Sequence, residues 1–340
     1  MNYKRVVIAN KGGPEVLRIV EEQVPEPGAG DVRVRILAAG VAYPDLLMRE
    51  GIHPLEAPHG PFTPGWDLVG VVDRVGDGVL GLERGQMVAA MPVCGGYAEF
   101  ICLPQEELVP VPAGLDPAES VSLPLNYVTA YQMLHRSARV APRQRVLIGG
   151  AAGGVGTALL QLGRLVPLEM YGTASKRKHP TVSNLGGTPI DYQHFDFVEE
   201  IRRLTGDGVD VVFDSVGGTH LWRSLKALRA GGKVVAYGTL GGGLAGGLRN
   251  RLRGLASIGW PVAVSFLVSG RERILIYSIQ RLKRRRLDWF REDLTALLDL
   301  LRRGSIKPII AERIPLVEVR RAHELLASGS VTGKIVLLCG

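Results

Sequence analysis

Short apolar runs broken by Gly, Pro and Asp occupy the first third of the chain, at residues 6–9, 32–37, 68–75, 86–90 and 97–102. Runs of that length between turn residues predict β-strands, and no long period-3.6 stretch competes with them. The pattern changes at Asp116-Pro117-Ala118-Glu119. Asp116 can cap a helix with Pro117 in its first position and Glu119 three residues on, and a helix is predicted over 127–134. From Arg145 onward, strands at 146–148, 169–172, 209–214 and 233–237 alternate with helices at 155–165, 197–204 and 219–228. That alternation predicts a parallel sheet with crossover helices. The tail adds an amphipathic helix over 293–302, a second helix near 317–327 and a last strand at 334–338.

Composition sharpens this picture. The 340 residues are 46% hydrophobic and 22% charged, which suits two globular domains and excludes a disordered chain. The three cysteines, Cys94, Cys102 and Cys339, form no C-x-x-C pair and point to a reducing, cytoplasmic setting. The N-terminus reads as a first strand and turn, without the apolar core of a signal peptide. The net charge of +8 is local: residues 249–291 hold eleven Arg and Lys against two acids. The run Arg281-Leu282-Lys283-Arg284-Arg285-Arg286 lacks the interleaved aromatics of a nucleic-acid platform and reads best as a solvated face. Residues 254–270 carry no charge, but Gly259, Pro261 and three Ser argue for a buried or subunit-facing segment. Peripheral membrane contact through 249–291 stays open.

The motif that carries chemistry is Gly149-Gly150-Ala151-Ala152-Gly153-Gly154-Val155-Gly156, between a strand and a helix. Small residues there let backbone approach a pyrophosphate, whose charge the helix N-terminus stabilises. Against G-x-G-x-x-G, Gly153 and Gly156 hold the second and third places and Ala151 the first. The next strand ends in Tyr171-Gly172-Thr173-Ala174-Ser175-Lys176-Arg177-Lys178, with no carboxylate for a ribose 2′-hydroxyl and three cations instead. Ser175 and Lys176 can donate to a 2′-phosphate, which predicts NADPH. Arg177 and Lys178 can equally be solvated loop residues.

Together with Gly12-Gly13-Pro14-Glu15-Val16-Leu17, Pro64-Gly65-Trp66-Asp67-Leu68-Val69-Gly70, Leu125-Asn126-Tyr127-Val128-Thr129-Ala130-Tyr131, Ile190-Asp191-Tyr192 and Gly333-Lys334-Ile335-Val336-Leu337, these motifs run nearly end to end. The chain resembles the zinc-independent quinone oxidoreductase branch of the medium-chain dehydrogenase/reductase superfamily, and within it the vesicle amine transport protein 1 group. The resemblance implies an α/β fold: a GroES-like β-rich catalytic domain from 1–121 and 292–340, and a Rossmann domain with a doubly wound parallel sheet at 122–291. It implies a homodimer, an active-site cleft between the domains, and NADPH-dependent hydride transfer to quinones or activated alkenes.

Carried over by motif, Asn126 and Thr129 lie near the nicotinamide and its phosphate, and Gly153, Gly154 and Val155 cradle the pyrophosphate. Ser175, Lys176 and Tyr192 surround the 2′-phosphate, Gly238 and Thr239 contact the nicotinamide side, and Lys334 is a further cofactor residue. The superfamily's zinc enzymes carry a Cys and a His where this chain has Ala42 and Trp66, neither of which can coordinate, so a metal site is not expected. Polar groups for the acceptor side are Tyr43, Asp45 and His53. His53 can donate a proton as an imidazolium or be a loop residue before Pro54. Asp45 can instead cap the following helix, and Tyr43 can pack in the turn before Pro44. Asp214 reads as a turn cap and Cys94 as a small packing residue. The alternatives to a quinone or enone reductase are an enoyl reductase of a biosynthetic pathway and a non-catalytic, NADPH-binding adaptor at membranes.

Overall fold

The first apolar run forms strand β1 (Asn2–Ile8), paired antiparallel with β2 (Leu17–Gln23), which lay hidden in the polar stretch that follows. Strand β3 (Asp31–Val41) buries Val32, Val34 and Ile36 on one face, the period-2 alternation of a half-buried strand. Arg33 between them donates to Asp73 across the sheet at 2.6 Å. Around β3 assemble β4 (Leu68–Val75), β5 (Met87–Ala90), β6 (Phe100–Pro104), β7 (Val109–Pro110) and, from the far end of the chain, β14 (Ile310–Pro315) and β15 (Lys334–Leu338). They order as β14-β15-β3-β4-β5-β7, with β6 also on β3. One core of Val32, Val34, Ile36, Tyr97, Ile335 and Leu337 therefore joins both chain ends.

A second sheet is all parallel: β8 (Arg145–Ile148), β9 (Glu169–Ala174), β10 (Gly187–Asp191), β11 (Val209–Asp214), β12 (Leu228–Ala236) and β13 (Ile274–Ile276). Its order, β10-β9-β8-β11-β12-β13, steps outward in both directions from β8. That is the doubly wound arrangement, whose ligand crevice lies at the carboxyl ends of the strands where the order reverses.

A computed structural model describes residues 1–53, 60–218, 220–238 and 273–340. They form two units, Met1–Val128 with Leu282–Gly340 and Thr129–Arg281. Thr239, the uncharged segment 254–270 and residues 249–272 of the basic stretch lie outside the described residues. Among the described residues no helix is long and apolar enough to cross a membrane.

Several elements differ from expectation. Asp116 caps its helix by accepting from Ala118 N at 2.7 Å, but that helix ends at Ser120. The predicted helix over 127–134 is an α-turn, Val128–Tyr131, between π-helical stretches Leu123–Tyr127 and Gln132–Ala138. Pro124, lacking an N–H, sits in the first of them. The tail helix starts earlier, at Leu287, and buries Phe290, Leu294, Leu297, Leu298 and Leu301 along one stripe. The basic run is not a wholly solvated face: Lys283 is 8% exposed, donates to Met91 O at 2.8 Å and pairs with Glu107, while its Arg neighbours stay exposed.

Candidate nucleotide and acceptor sites

The turn after β8 is held on both sides. Gly149 N donates to Phe213 O at 2.9 Å, Ala151 N to Thr173 O at 3.0 Å, and Gly150 N to Thr173 Oγ1 at 3.1 Å. Gly150 has φ +64°, so it supplies the left-handed bend that a side chain would strain, and Ala151 stands buried beside it. A Cβ on Gly156 would lie 2.3 Å from Gly150 O, so only glycine lets the helix Gly154–Leu165 press against the loop. Gly153 brings no side-chain cap to that helix, and Gly153, Gly154 and Val155 are half-buried. The first-turn N–H groups of a helix lack intrahelical partners, and here they stand at the carboxyl end of a central strand. The loop therefore fits a pyrophosphate, by a bend and a cradle that Cβ atoms would fill.

The neighbouring strand end is cationic. Ser175 leads from β9 into a single 3-10 turn, Lys176–Lys178, with Lys176 and Arg177 exposed and Lys178 half-buried. Sequence reasoning missed a carboxylate in this place: Asp191 ends β10, and the parallel register sets it beside Ala174 at the end of β9. Asp191 is 5% exposed, and its Oδ2 lies 2.8 Å from His194 Nδ1. Tyr192 and Phe195 on either side are more than half exposed. On the other flank of the turn, a Cβ on Gly238 would lie 1.6 Å from Ser215 O, so this residue too is needed as glycine. Asp214 accepts from Val216 N and Gly217 N at 2.8 Å each, from Ser224 Oγ at 2.6 Å and from His220, which makes it a turn cap.

Asn126 and Thr129 are both buried, at 6% and 5% exposure. In the β-rich unit, Tyr43 is 42% exposed, and burial and the Glu50 charge hold its phenol above the usual range. His53 is half-buried, with its ring centroid 5.4 Å from that of Trp66. Asp45 is fully buried: Oδ2 accepts from Ala42 N and Oδ1 from Gly65 N, each at 2.9 Å. Both oxygens are engaged in tying the helix Tyr43–Glu50 to the loop before Trp66, the capping role that the sequence also offers Asp45. Burial, despite the two amide donors, pushes its carboxyl up to about 7. Lys334, expected at the cofactor, lies buried with Nζ 2.8 Å from Asp67 Oδ2. Burial, with Asp45 nearby, pushes the Cys94 thiol up to about 12, against a role as a reactive thiolate.

A zinc ion does not fit here. Ala42 brings no donor, the Trp66 indole N–H is spent on Met48 Sδ at 3.1 Å, and the Asp67 carboxylate faces an ammonium.

Two family models match: the alcohol dehydrogenase GroES-like domain over residues 28–113 and the zinc-binding dehydrogenase over residues 185–337. The chain is 35% identical to a 2-haloacrylate reductase of Burkholderia sp, covering 98% of each. It is 31% identical to the synaptic vesicle membrane protein VAT-1 homolog of Danio rerio, covering 98% of this chain and 70% of that one. Among solved structures, Escherichia coli quinone oxidoreductase complexed with NADPH superposes with a TM-score of 0.85 at 27% identity, covering 98% of this chain and 99% of that one.

Proposed function

The chain belongs to the medium-chain dehydrogenase/reductase superfamily, in its zinc-independent quinone oxidoreductase-like branch, and on that footing we propose an NADPH-dependent reductase of quinones or α,β-unsaturated carbonyls. The observation that carries this reading is the loop at the end of β8, where Gly150 bends and Gly156 packs without a Cβ, next to the Ser175–Lys176 cation site. NADPH, when bound, supplies a hydride.

The chain's own groups divide the remaining work. The N-terminus of the helix Gly154–Leu165, with Gly153, Gly154 and Val155, would hold the pyrophosphate. Ser175, Lys176 and Tyr192 would take the 2′-phosphate, and Asn126, Thr129, Gly238 and Thr239 the nicotinamide half. Quinones and enones are electrophilic already, so orientation and a proton suffice and no Lewis acid is required. His53, tilted against Trp66, is the proton donor on this reading, and the exposed Tyr43 a polar contact for the acceptor. A halogenated acrylate, the substrate class named for the Burkholderia relative, is an activated alkene of the same kind. We also propose a homodimer, because among the described residues β13 is the last strand of the parallel sheet and leaves Ile276 60% exposed. The reading is tested by following NADPH and NADH oxidation against a panel of quinones, enones and enals. Faster turnover with NADPH supports it; no turnover with any acceptor favours the adaptor.

A further inference from the structure

The carboxylate at the end of β10 stands out at a site read as binding a phosphate. Asp191 pairs in register with Ala174, one residue before Ser175. A carboxylate there repels a 2′-phosphate, unless its charge is balanced. The chain supplies the balance three residues along. The backbone folds back, with Phe195 N donating to Asp191 O at 3.0 Å, and this turn lays His194 Nδ1 at 2.8 Å from Asp191 Oδ2. Gln193 N satisfies the other oxygen at 3.1 Å. Burial opposes the charge on Asp191, but the His194 hydrogen bond and the Gln193 amide hold its carboxyl below the usual range. The carboxylate therefore fixes the imidazole with Nδ1 inward. The His194 side chain is 71% exposed, so its remaining edge is open to solvent.

We propose that the Asp191–His194 pair determines nucleotide specificity in this chain, as a proton-dependent part of the 2′-phosphate site. The inference rests on the reading of Ser175 and Lys176 as that site. With the imidazole protonated, the pair is neutral overall and His194 Nε2 donates a charge-assisted hydrogen bond to the phosphate. With the imidazole neutral, the pair carries one negative charge beside the phosphate and repels it. Preference for NADPH over NADH therefore goes with the protonated pair and falls once rising pH has removed that proton. The other charged groups around the pair are His179, whose Nε2 lies 3.3 Å from Ala174 O, and Lys176, Arg177 and Lys178 on the 3-10 turn. Asp196 and Arg223, on the following helix and its neighbour, pair with each other at 3.1 Å. The phosphate itself gains charge as pH rises through about 6, which strengthens binding to lysine and arginine and so has the opposite sign.

The test measures dissociation constants of NADPH and NADH by tryptophan fluorescence at about pH 6 and about pH 8. It uses the full chain, His194→Gln, Asp191→Asn and Lys176→Ala. In the unaltered protein, the NADPH preference should fall about fivefold or more between the two conditions. His194→Gln should bind NADPH about five- to tenfold more weakly at the lower pH, keep its NADH affinity and melting temperature, and lose the downward trend. Asp191→Asn should strengthen NADPH binding at the higher pH. If Lys176→Ala lowers NADPH preference while His194→Gln changes neither preference nor trend, the pair has no such role and the phosphate site stands. If Lys176→Ala weakens both nucleotides equally, the phosphate site itself is misassigned and the proposal falls with it.

Discussion

Lys334 Nζ lies 2.8 Å from Asp67 Oδ2, with the two side chains 3% and 0% exposed. Gly40 on β3 makes room for them, since a Cβ there would lie 2.2 Å from Asp67 Oδ1. The pair thus clamps the last strand to the loop that carries Trp66, where a zinc enzyme would place a histidine ligand. Asp67→Asn leaves an ammonium buried without its counter-charge and should cost about 3–5 kcal/mol in urea unfolding. The double change Asp67→Leu with Lys334→Met removes both charges and should recover most of that loss. An Asp67→Asn protein as stable as the parent would show that the ammonium finds another partner.

Asp45 gives a stability profile of defined sign. Its carboxyl titrates at about 7 in the fold against an ordinary 3.8. Between those values the folded chain holds one proton more than the unfolded chain, so this group's contribution is full below 3.8 and is lost as pH rises through about 7. Asp45→Asn gives up one amide acceptor but should flatten that decline, as measured by denaturant midpoints across the window. An unchanged slope would assign the proton to another buried group.

How much of this was legible in the chain follows from which interactions are local. The loop Gly149–Gly156 and the strand Val209–Asp214 announce themselves because each is a contiguous pattern. Strand β10 and the Asp191–His194 pair do not. A parallel register sets Asp191 beside Ala174, and nothing in the spacing of the chain states that register. Burial misleads in the same way. Lys283 lies in a run of arginines that reads as solvated, yet it alone of the basic residues there turns inward to Glu107 and Met91 O. Asp45 reads from its position before the predicted helix as a cap, but its second amide, Gly65 N, arrives from 20 residues away and no local pattern states it. Ala151 holds the first place of the G-x-G-x-x-G pattern, whereas Gly150, one residue earlier, carries the positive φ.

Gly156→Ala tests the cradle. Its Cβ would meet Gly150 O at 2.3 Å, backbone that cannot swing aside as a flexible side chain would. The loop must shift, at about 1–3 kcal/mol of stability, and NADPH affinity should drop about tenfold or more. Calorimetric titration beside a melting curve separates the two losses. Full affinity would mean that the pyrophosphate does not use this loop.

His53→Phe keeps a ring against Trp66 but removes the ionisable nitrogen. As a proton donor, His53 should account for about a hundredfold or more in kcat, with the NADPH dissociation constant unchanged. The lost rate should also lose its dependence on pH near neutrality. Turnover equal to the parent at every pH would leave donation to water or to Tyr43.

The most direct measurement is a paired comparison of kcat/KM for NADPH and NADH with one accepted quinone or enone, in the full chain and in Lys176→Ala. A hydride donor seated by its 2′-phosphate should give a clear NADPH preference that Lys176→Ala reduces about tenfold, with NADH turnover little changed. Equal turnover with both nucleotides, unaffected by Lys176→Ala, would contradict it.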